Sequence, residues 1–352
     1  MSSPRAPSLL LLMLVQFSCA PSTGAVNAPP DAARALDDAG TAPDDASTSD
    51  ASTPAPLRDW AAAPAIVELD TAADVFALGD IHGDYDRLIT LLVGTRLLQR
   101  VPAAPESPSW SGGGAVLVIT GDLIDKWTQS LKVLAFVQAL RDSAAAAGGR
   151  VVVLCGNHEA EFLAEPNNSK AAPFDAELKA AGIAPADVAS GLHPLGRYLR
   201  ALPFAARIND SFFAHAGNTA GKSLAQLDAA LRQGVDAQGF TSPVLLAADS
   251  LLEAKLSPPW WETGAAPATV LGGYAAALGV KRLVIGHQPE KITFQDGTSR
   301  SKGTLAGKYG LIFLIDVGMS RGVDDSVGAV LRIRGGMVSA LYGDGSAVQL
   351  FP

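Results

Sequence analysis

Short apolar runs recur along the chain, and five of them end in small polar clusters. Residues 75–78 run into Gly79-Asp80-Ile81-His82-Gly83-Asp84, and residues 115–119 into Thr120-Gly121-Asp122-Leu123-Ile124-Asp125. Residues 151–155 run into Gly156-Asn157-His158-Glu159, residues 212–214 into His215-Ala216-Gly217, and residues 283–285 into Gly286-His287. An unbroken run of three to five apolar residues is the pattern of a strand buried on both faces. Between these runs the apolar positions change to helical spacing. Leu88, Leu91, Leu92 and Leu98 predict a helix over 85–99, with Asp84 at its start as a cap, and Leu131, Leu134, Ala135 and Val137 predict one over 127–147. Strands alternating with helices predict an α/β protein whose site forms at the carboxyl ends of the strands.

Other segments vary this pattern. Residues 100–114 read as a loop. Residues 161–203 read as an insertion beside the site, with helices over 175–181 and 195–201 and His193 as a surface or capping residue. Residues 220–256 alternate helical segments. After Gly310 three strand-like runs follow, at 311–315, 329–334 and 337–342, and Gly335-Gly336 predicts a hairpin between the last two.

The first 58 residues have a different texture. Residues 9–15 are continuously apolar behind Arg5, too short a run to span a bilayer. With small residues Ser18 and Ala20 behind it, the run fits a secretory signal over 1–20. A bacterial lipoprotein signal with Cys19 lipidated is the alternative, although Gln16 stands where Leu is usual. Either implies export to the periplasm or cell envelope, and the second implies membrane attachment. Residues 21–58 are dominated by Ala, Pro, Asp, Ser and Thr, a composition that builds no core and reads as a tether. The domain is expected over 59–352, as a monomer.

Composition narrows the function. The chain is 48% hydrophobic and 18% charged, with net charge −8 and no basic run, which excludes nucleic-acid binding through phosphates. Its two cysteines make no disulfide framework, and Cys155, at a strand end, reads as a buried inert thiol. Of five histidines, four lie in the strand-end clusters, which concentrates ligand chemistry in one place.

Asp80 and His82 alternate with Ile81, so an extended strand end points them the same way. Alone, that pair would equally suit a solvated Asp and an unrelated His. Five such strand ends give Asp80, His82, Asp122, Asn157, His215 and His287. Carboxylate, imidazole and amide oxygens suit Mn, Fe, Zn or Mg. Six ligands exceed the needs of one ion, and an aspartate placed between two ions bridges them. Two ions about 3.5–4 Å apart are the usual arrangement for phosphate-ester cleavage.

The motifs GDIHGD, GDLID, GNHE, HAG and GH, in this order, resemble those of the calcineurin-like metallophosphoesterase superfamily. The spelling of the first and third is similar to its phosphoprotein-phosphatase branch. Trp260-Trp261 and Ile315-Asp316-Val317-Gly318-Met319-Ser320 resemble the bacterial Shewanella-like phosphatases. The resemblance implies a single domain with two β-sheets packed as a sandwich between helical layers, carrying helical cap insertions. It implies a first ion held by Asp80, His82 and Asp122, and a second by Asp122, Asn157, His215 and His287. It implies His158 as general acid, oriented by Asp125, and a phosphorylated protein or small phosphate ester as substrate; Glu159 reads either as an acid at a helix N-terminus or as support for the ligands.

The chain departs from that pattern at two places. The branch continues the second motif as Asp-Arg-Gly, with the Arg gripping phosphate; here it is Asp125-Lys126-Trp127. Lysine keeps the charge but offers no planar bidentate fork. The branch also places an Arg where this chain has Glu262. Arg321 is the candidate replacement, so Lys126 and Arg321 are expected to form the cationic clamp. Three functions follow in order: a phosphomonoesterase, a phosphodiesterase or dinucleoside-polyphosphate hydrolase on the same core, and a non-catalytic metal-containing surface binding protein.

Overall fold

The structure is a computed structural model, and it describes residues 58–352 except 265. The expected signal over 1–20, Cys19 and the tether up to residue 57 lie outside the described residues. No helix among those described is long and apolar enough to cross a membrane.

In chain order the elements are β1 (Ile66–Leu69), β2 (Val75–Leu78), α1 (Tyr85–Gly94), β3 (Val116–Ile119), α2 (Ser130–Ala146), β4 (Arg150–Val153) and α3 (Asn157–Ala164). There follow α4 (Ala172–Ala180), α5 (Pro185–Ser190), α6 (Pro194–Arg200), β5 (Ala205–Ile208), β6 (Ser211–Ala214), α7 (Leu224–Gln238), α8 (Pro243–Leu246), α9 (Pro267–Leu278) and β7 (Arg282–Ile285). The chain ends with β8 (Ile292–Thr293), β9 (Ser299–Arg300), β10 (Ala306–Lys308), β11 (Ile312–Leu314), β12 (Ala329–Arg334), β13 (Met337–Tyr342) and β14 (Ala347–Phe351).

Two six-stranded mixed sheets carry the molecule, ordered β1-β5-β6-β7-β11-β10 and β14-β13-β12-β2-β3-β4, while β8 and β9 form a small hairpin. In one sheet β2, β3 and β4 run parallel; in the other β6, β7 and β11 do. These six strands are apolar apart from Arg150, Ser211 and Arg282 at their starts, and apart from Arg150 every residue in them is buried. Burial on both faces is why they read as continuous runs rather than as alternation. The expected α/β two-sheet sandwich flanked by helices is the fold observed, with α4–α6 and α7–α8 as the helical insertions.

Helix boundaries differ from the sequence reading where the backbone turns left-handed. The first helix ends at Gly94, because Thr95 closes it and Arg96 takes φ +61°. The second starts at Ser130, because Asp125 and Lys126 take φ +68° and +62°. The Gly335-Gly336 hairpin is formed, with both glycines at positive φ. His193 is the N-cap of α6, its Nδ1 accepting from the Leu195 amide at 3.2 Å.

Candidate active site

Every expected ligand follows a strand that ends at one edge of the sandwich. Asp80 and His82 follow β2, Asp122 follows β3, Asn157 opens α3 after β4, His215 follows β6, and His287 follows β7. All are buried or nearly so. The turns that carry them are tight. A Cβ on Gly156 would lie 2.1 Å from Asp122 Oδ1, and one on Gly286 would lie 2.6 Å from Asp80 Oδ1. Only glycine permits that approach of backbone to carboxylate.

The side chains converge. His82 Nε2 lies 3.7 Å from Asp80 Oδ2 and 3.6 Å from Asp122 Oδ2. His215 Nε2 lies 3.4 Å from Asp122 Oδ1, 2.9 Å from Asn157 Oδ1 and 3.0 Å from His287 Nδ1. Two groups of donor atoms each lie within 4.8 Å of one another: His82, Asp122 and His158, and Asp80, Asp122 and His215. Asp122 belongs to both. The groups cut across the expected division between two ions, since Asp80 stands between His82 and His215, with Oδ1 4.0 Å from His215 Nδ1.

This donor set fits cations. Around His215 Nε2, two oxygens and a second imidazole nitrogen crowd together with more lone pairs than protons to share. Asp80 Oδ2 is buried with no hydrogen-bond partner, a costly arrangement for a carboxylate unless a cation meets it. Burial, reinforced by Asp316 and Asp122, pushes the Asp80 carboxyl well above the usual range. Burial also lowers His82 and His287 to about 3, which keeps both imidazoles neutral, as metal ligation requires. Asp122 behaves oppositely. Burial would raise it, but His215, His158 and His82 hold it well below the ordinary value.

Backbone contacts fix the ring orientations. His82 Nδ1 lies 3.2 Å from Ile124 O, and His215 Nδ1 lies 3.0 Å from Thr120 O. A carbonyl only accepts, so each Nδ1 carries the proton and each Nε2 is left with its lone pair facing the cluster. Glu159, fully buried, accepts from the amides of Asp122, Leu123, Ile124 and Gly156 at 2.7–3.2 Å. It ties the loop after β3 to the start of α3. Burial raises its carboxyl to about 7, while the Gly156 and Leu123 amides favour the ionised form.

His158 stands beside the cluster, its ring 4.9 Å from that of His82. Its Nδ1 lies 2.9 Å from Asp125 Oδ2, and its amide donates to Asp122 Oδ1 at 3.0 Å. Burial would lower its pKa, but Asp122 and Asp125 outweigh burial and raise it. A cavity of about 480 Å³ opens here, lined in part by His82, Asp122, Asn157, His158 and His287.

The expected clamp is only half present. Lys126 lines the cavity. Arg321 does not: its Nε and Nη2 donate to Asp84 at 2.9 and 2.6 Å, Nη2 also donates to Asp86 at 2.9 Å, and the guanidinium lies over Trp127. With its donors engaged by two carboxylates, Arg321 is a structural clasp between α1 and the loop after β11, which corrects its expected place on the phosphate. Glu262 is also off the cavity wall. It is buried, its carboxylate accepts from the Gln295 amide at 2.9 Å, and its carbonyl accepts from the Gln295 side chain.

Sequence reasoning missed the other cations of the cavity. Lys170, Lys255 and Lys302 line it, together with the acids Glu253, Glu290 and Asp324. They come from the insertions and from loops outside the strand-end motifs, so no local pattern marks them. The paired tryptophans support the site instead: Trp260 Nε1 donates to Ala216 O at 3.1 Å, bracing the turn that carries His215.

The calcineurin-like phosphoesterase family model matches residues 74–291. The chain belongs to that family. Its relatives include Shewanella-like protein phosphatase 1 of Plasmodium berghei, 30% identical over 146 residues, which are 41% of this chain and 38% of that protein. Shewanella-like protein phosphatase 2 of Arabidopsis thaliana is 34% identical over 83 residues, 24% of this chain and 20% of that protein. A symmetrical bis(5′-nucleosyl)-tetraphosphatase of Salmonella arizonae is 37% identical over 89 residues, 25% of this chain and 24% of that protein. The matched parts thus span well under half of these relatives. Among solved structures, a cold-active protein-tyrosine phosphatase of a psychrophilic Shewanella species shares the fold, with TM-score 0.63 and 23% identity over 80% of this chain and 82% of that one.

Proposed function

We propose that this protein is a metal-dependent phosphomonoesterase that cleaves phosphorylated protein or small phosphate esters with two divalent ions. The observation that carries the reading is the convergence of Asp80, His82, Asn157 and His215 around Asp122, with His158 at its border held by Asp125. Bound there, the ions would activate a water as nucleophile and offset charge on the phosphoryl oxygens. Asp122 would be shared, with His82 toward one ion and Asn157, His215 and His287 toward the other, and Asp80 would stand between His82 and His215 within reach of either. Asp125, accepting from Nδ1–H, leaves His158 Nε2 to present a proton to the departing alkoxide. Lys126 would meet the phosphate from the cavity wall as a point charge.

A second reading keeps the same core and takes dinucleoside polyphosphates. What favours it is the set of lysines on the cavity wall beyond Lys126: Lys255, and Lys170 and Lys302, which are paired with Glu161 and Asp324 and would have to exchange those partners for phosphate. The test is a phosphate-release panel with manganese: p-nitrophenyl phosphate and phosphopeptides against bis(p-nitrophenyl) phosphate and diadenosine tetraphosphate. The first reading requires monoester kcat/KM at least about tenfold above the others; the reverse order selects the second. The apolar run before Cys19 supports export to a bacterial envelope, with Cys19 lipidation as its anchored form and a monomeric domain beyond the tether. Acyl-chain mass on a peptide containing Cys19 tests the anchored form.

A further inference from the structure

The loop after β11 passes beside the site and carries a buried carboxylate, Asp316. Asp316 is 2% exposed. Its Oδ1 accepts from the Gly318 amide at 2.9 Å, whereas Oδ2 is buried with no hydrogen-bond partner. Asp80 Oδ2 is in the same condition. The two residues meet where the sheets touch. A Cβ on Gly79 would lie 2.8 Å from Asp316 Cα and from Ile315 O, so the ends of β2 and β11 come together through a residue with no side chain. Two carboxylate oxygens buried together are strongly unfavourable in the ionised form, so the pair must either share a proton or meet a cation.

The protein does not supply that cation directly. Arg300 is buried nearby, but its donors go to carbonyls: Nη1 to Asp316 O at 3.3 Å, and Nη2 to Gln288 O at 2.5 Å and Glu290 O at 2.8 Å. It fastens the backbone of the His287 loop to that of Asp316; its charge favours the ionised Asp316, but none of its donors is hydrogen-bonded to Oδ2. Ser320, in the same loop, donates to the His82 carbonyl at 3.2 Å. The loop is thus built against the ligands Asp80, His82 and His287. The sequence carries the same mark, because residues 311–315 are a further apolar run that ends in a ligand-type residue at the same sheet edge.

We infer that Asp316 is an additional carboxylate supporting the metal site, its Oδ2 acting on the ion through Asp80 or through a water on that ion. The inference rests on the two-ion reading above. It predicts that Asp316 sets how tightly metal is held, whatever the substrate.

The test is Mn²⁺ binding to the purified protein by equilibrium dialysis, with wild type, D316N, D316E and D80N side by side. D316N keeps the Oδ1 acceptor for Gly318, so its metal-free melting temperature should not fall below that of wild type. Its affinity for at least one Mn²⁺ should weaken about 10–100-fold, the effect of losing a group that supports a ligand. D316E, which keeps the charge, should bind more tightly than D316N. Wild-type affinity in D316N, or a lower metal-free melting temperature as the sole change, would make Asp316 a turn-holding residue and overturn the inference. Weakened binding in D80N with wild-type binding in D316N removes the inference alone. Wild-type binding in both removes the metal-site reading beneath it.

Discussion

His82, Asp122, Asp125, Lys126 and His287 all hold backbone φ between +47° and +79°. Non-glycine residues seldom do so, at roughly 1–3 kcal/mol each, and such strain gathers at functional sites. Here it has a geometric reason, since each residue turns the chain at a strand end to aim a side chain across the site. On this account His158→Asn lowers kcat by about 10²–10⁴ with metal content unchanged, as elemental analysis alongside turnover would check. The working form of a general acid is protonated, so activity falls as pH rises through the His158 pKa. Asp125 helps to raise that pKa; Asp125→Asn should therefore move the alkaline limb of kcat to lower pH. Arg321 gives the opposite kind of prediction. Its partner Asp84 is fully buried and Arg321 is one-third exposed, so R321A should cost about 1 kcal/mol of stability and leave KM for p-nitrophenyl phosphate nearly unchanged, while K126A raises KM. The Arg321 contact was illegible in sequence because Asp84 lies 237 positions away. The ligands were legible because each sits in a short glycine-containing turn directly after an apolar run.

At the level of elements, the strands carrying ligands announced themselves by continuous burial. The outer strands did not. β1 has only Ile66 buried, β8, β9 and β10 are two or three residues long, and β14 is largely exposed. Their pairing is set by the neighbouring strand rather than by their own pattern. Likewise Glu159 could be read as support, but its four amide partners on two loops needed coordinates. Those loops give sharp expectations. A methyl group on Gly156 would strike Asp122 Oδ1, so G156A should lose bound metal and activity while circular dichroism stays native. Glu159→Ala would leave four buried amides unmet and should destabilise the protein by roughly 3 kcal/mol or more, read from urea unfolding.

Across the whole molecule, the site exists because two sheets place the carboxyl ends of six parallel strands along one edge, with ligands arriving from both sheets. No single segment can hold an ion, so metal binding and the relative position of the sheets are linked. Chelation should lower the melting temperature of the wild type, and restoring metal at 100 times its dissociation constant should return about 2.7 kcal/mol of stability for each ion bound. The cavity wall, built from insertions and distant loops, is where sequence reasoning stopped. Its lysines share no motif, and only the fold brings them together.

The most direct test is metal stoichiometry, with phosphate release measured on the same samples, for wild type and Asp122→Asn after dialysis against manganese. The account predicts two ions per chain and manganese-dependent release in the wild type, and loss of at least one ion together with activity in the variant, because Asp122 serves both groups of donors. A wild type that holds one ion or none, or a variant that keeps two ions and full turnover, would contradict it.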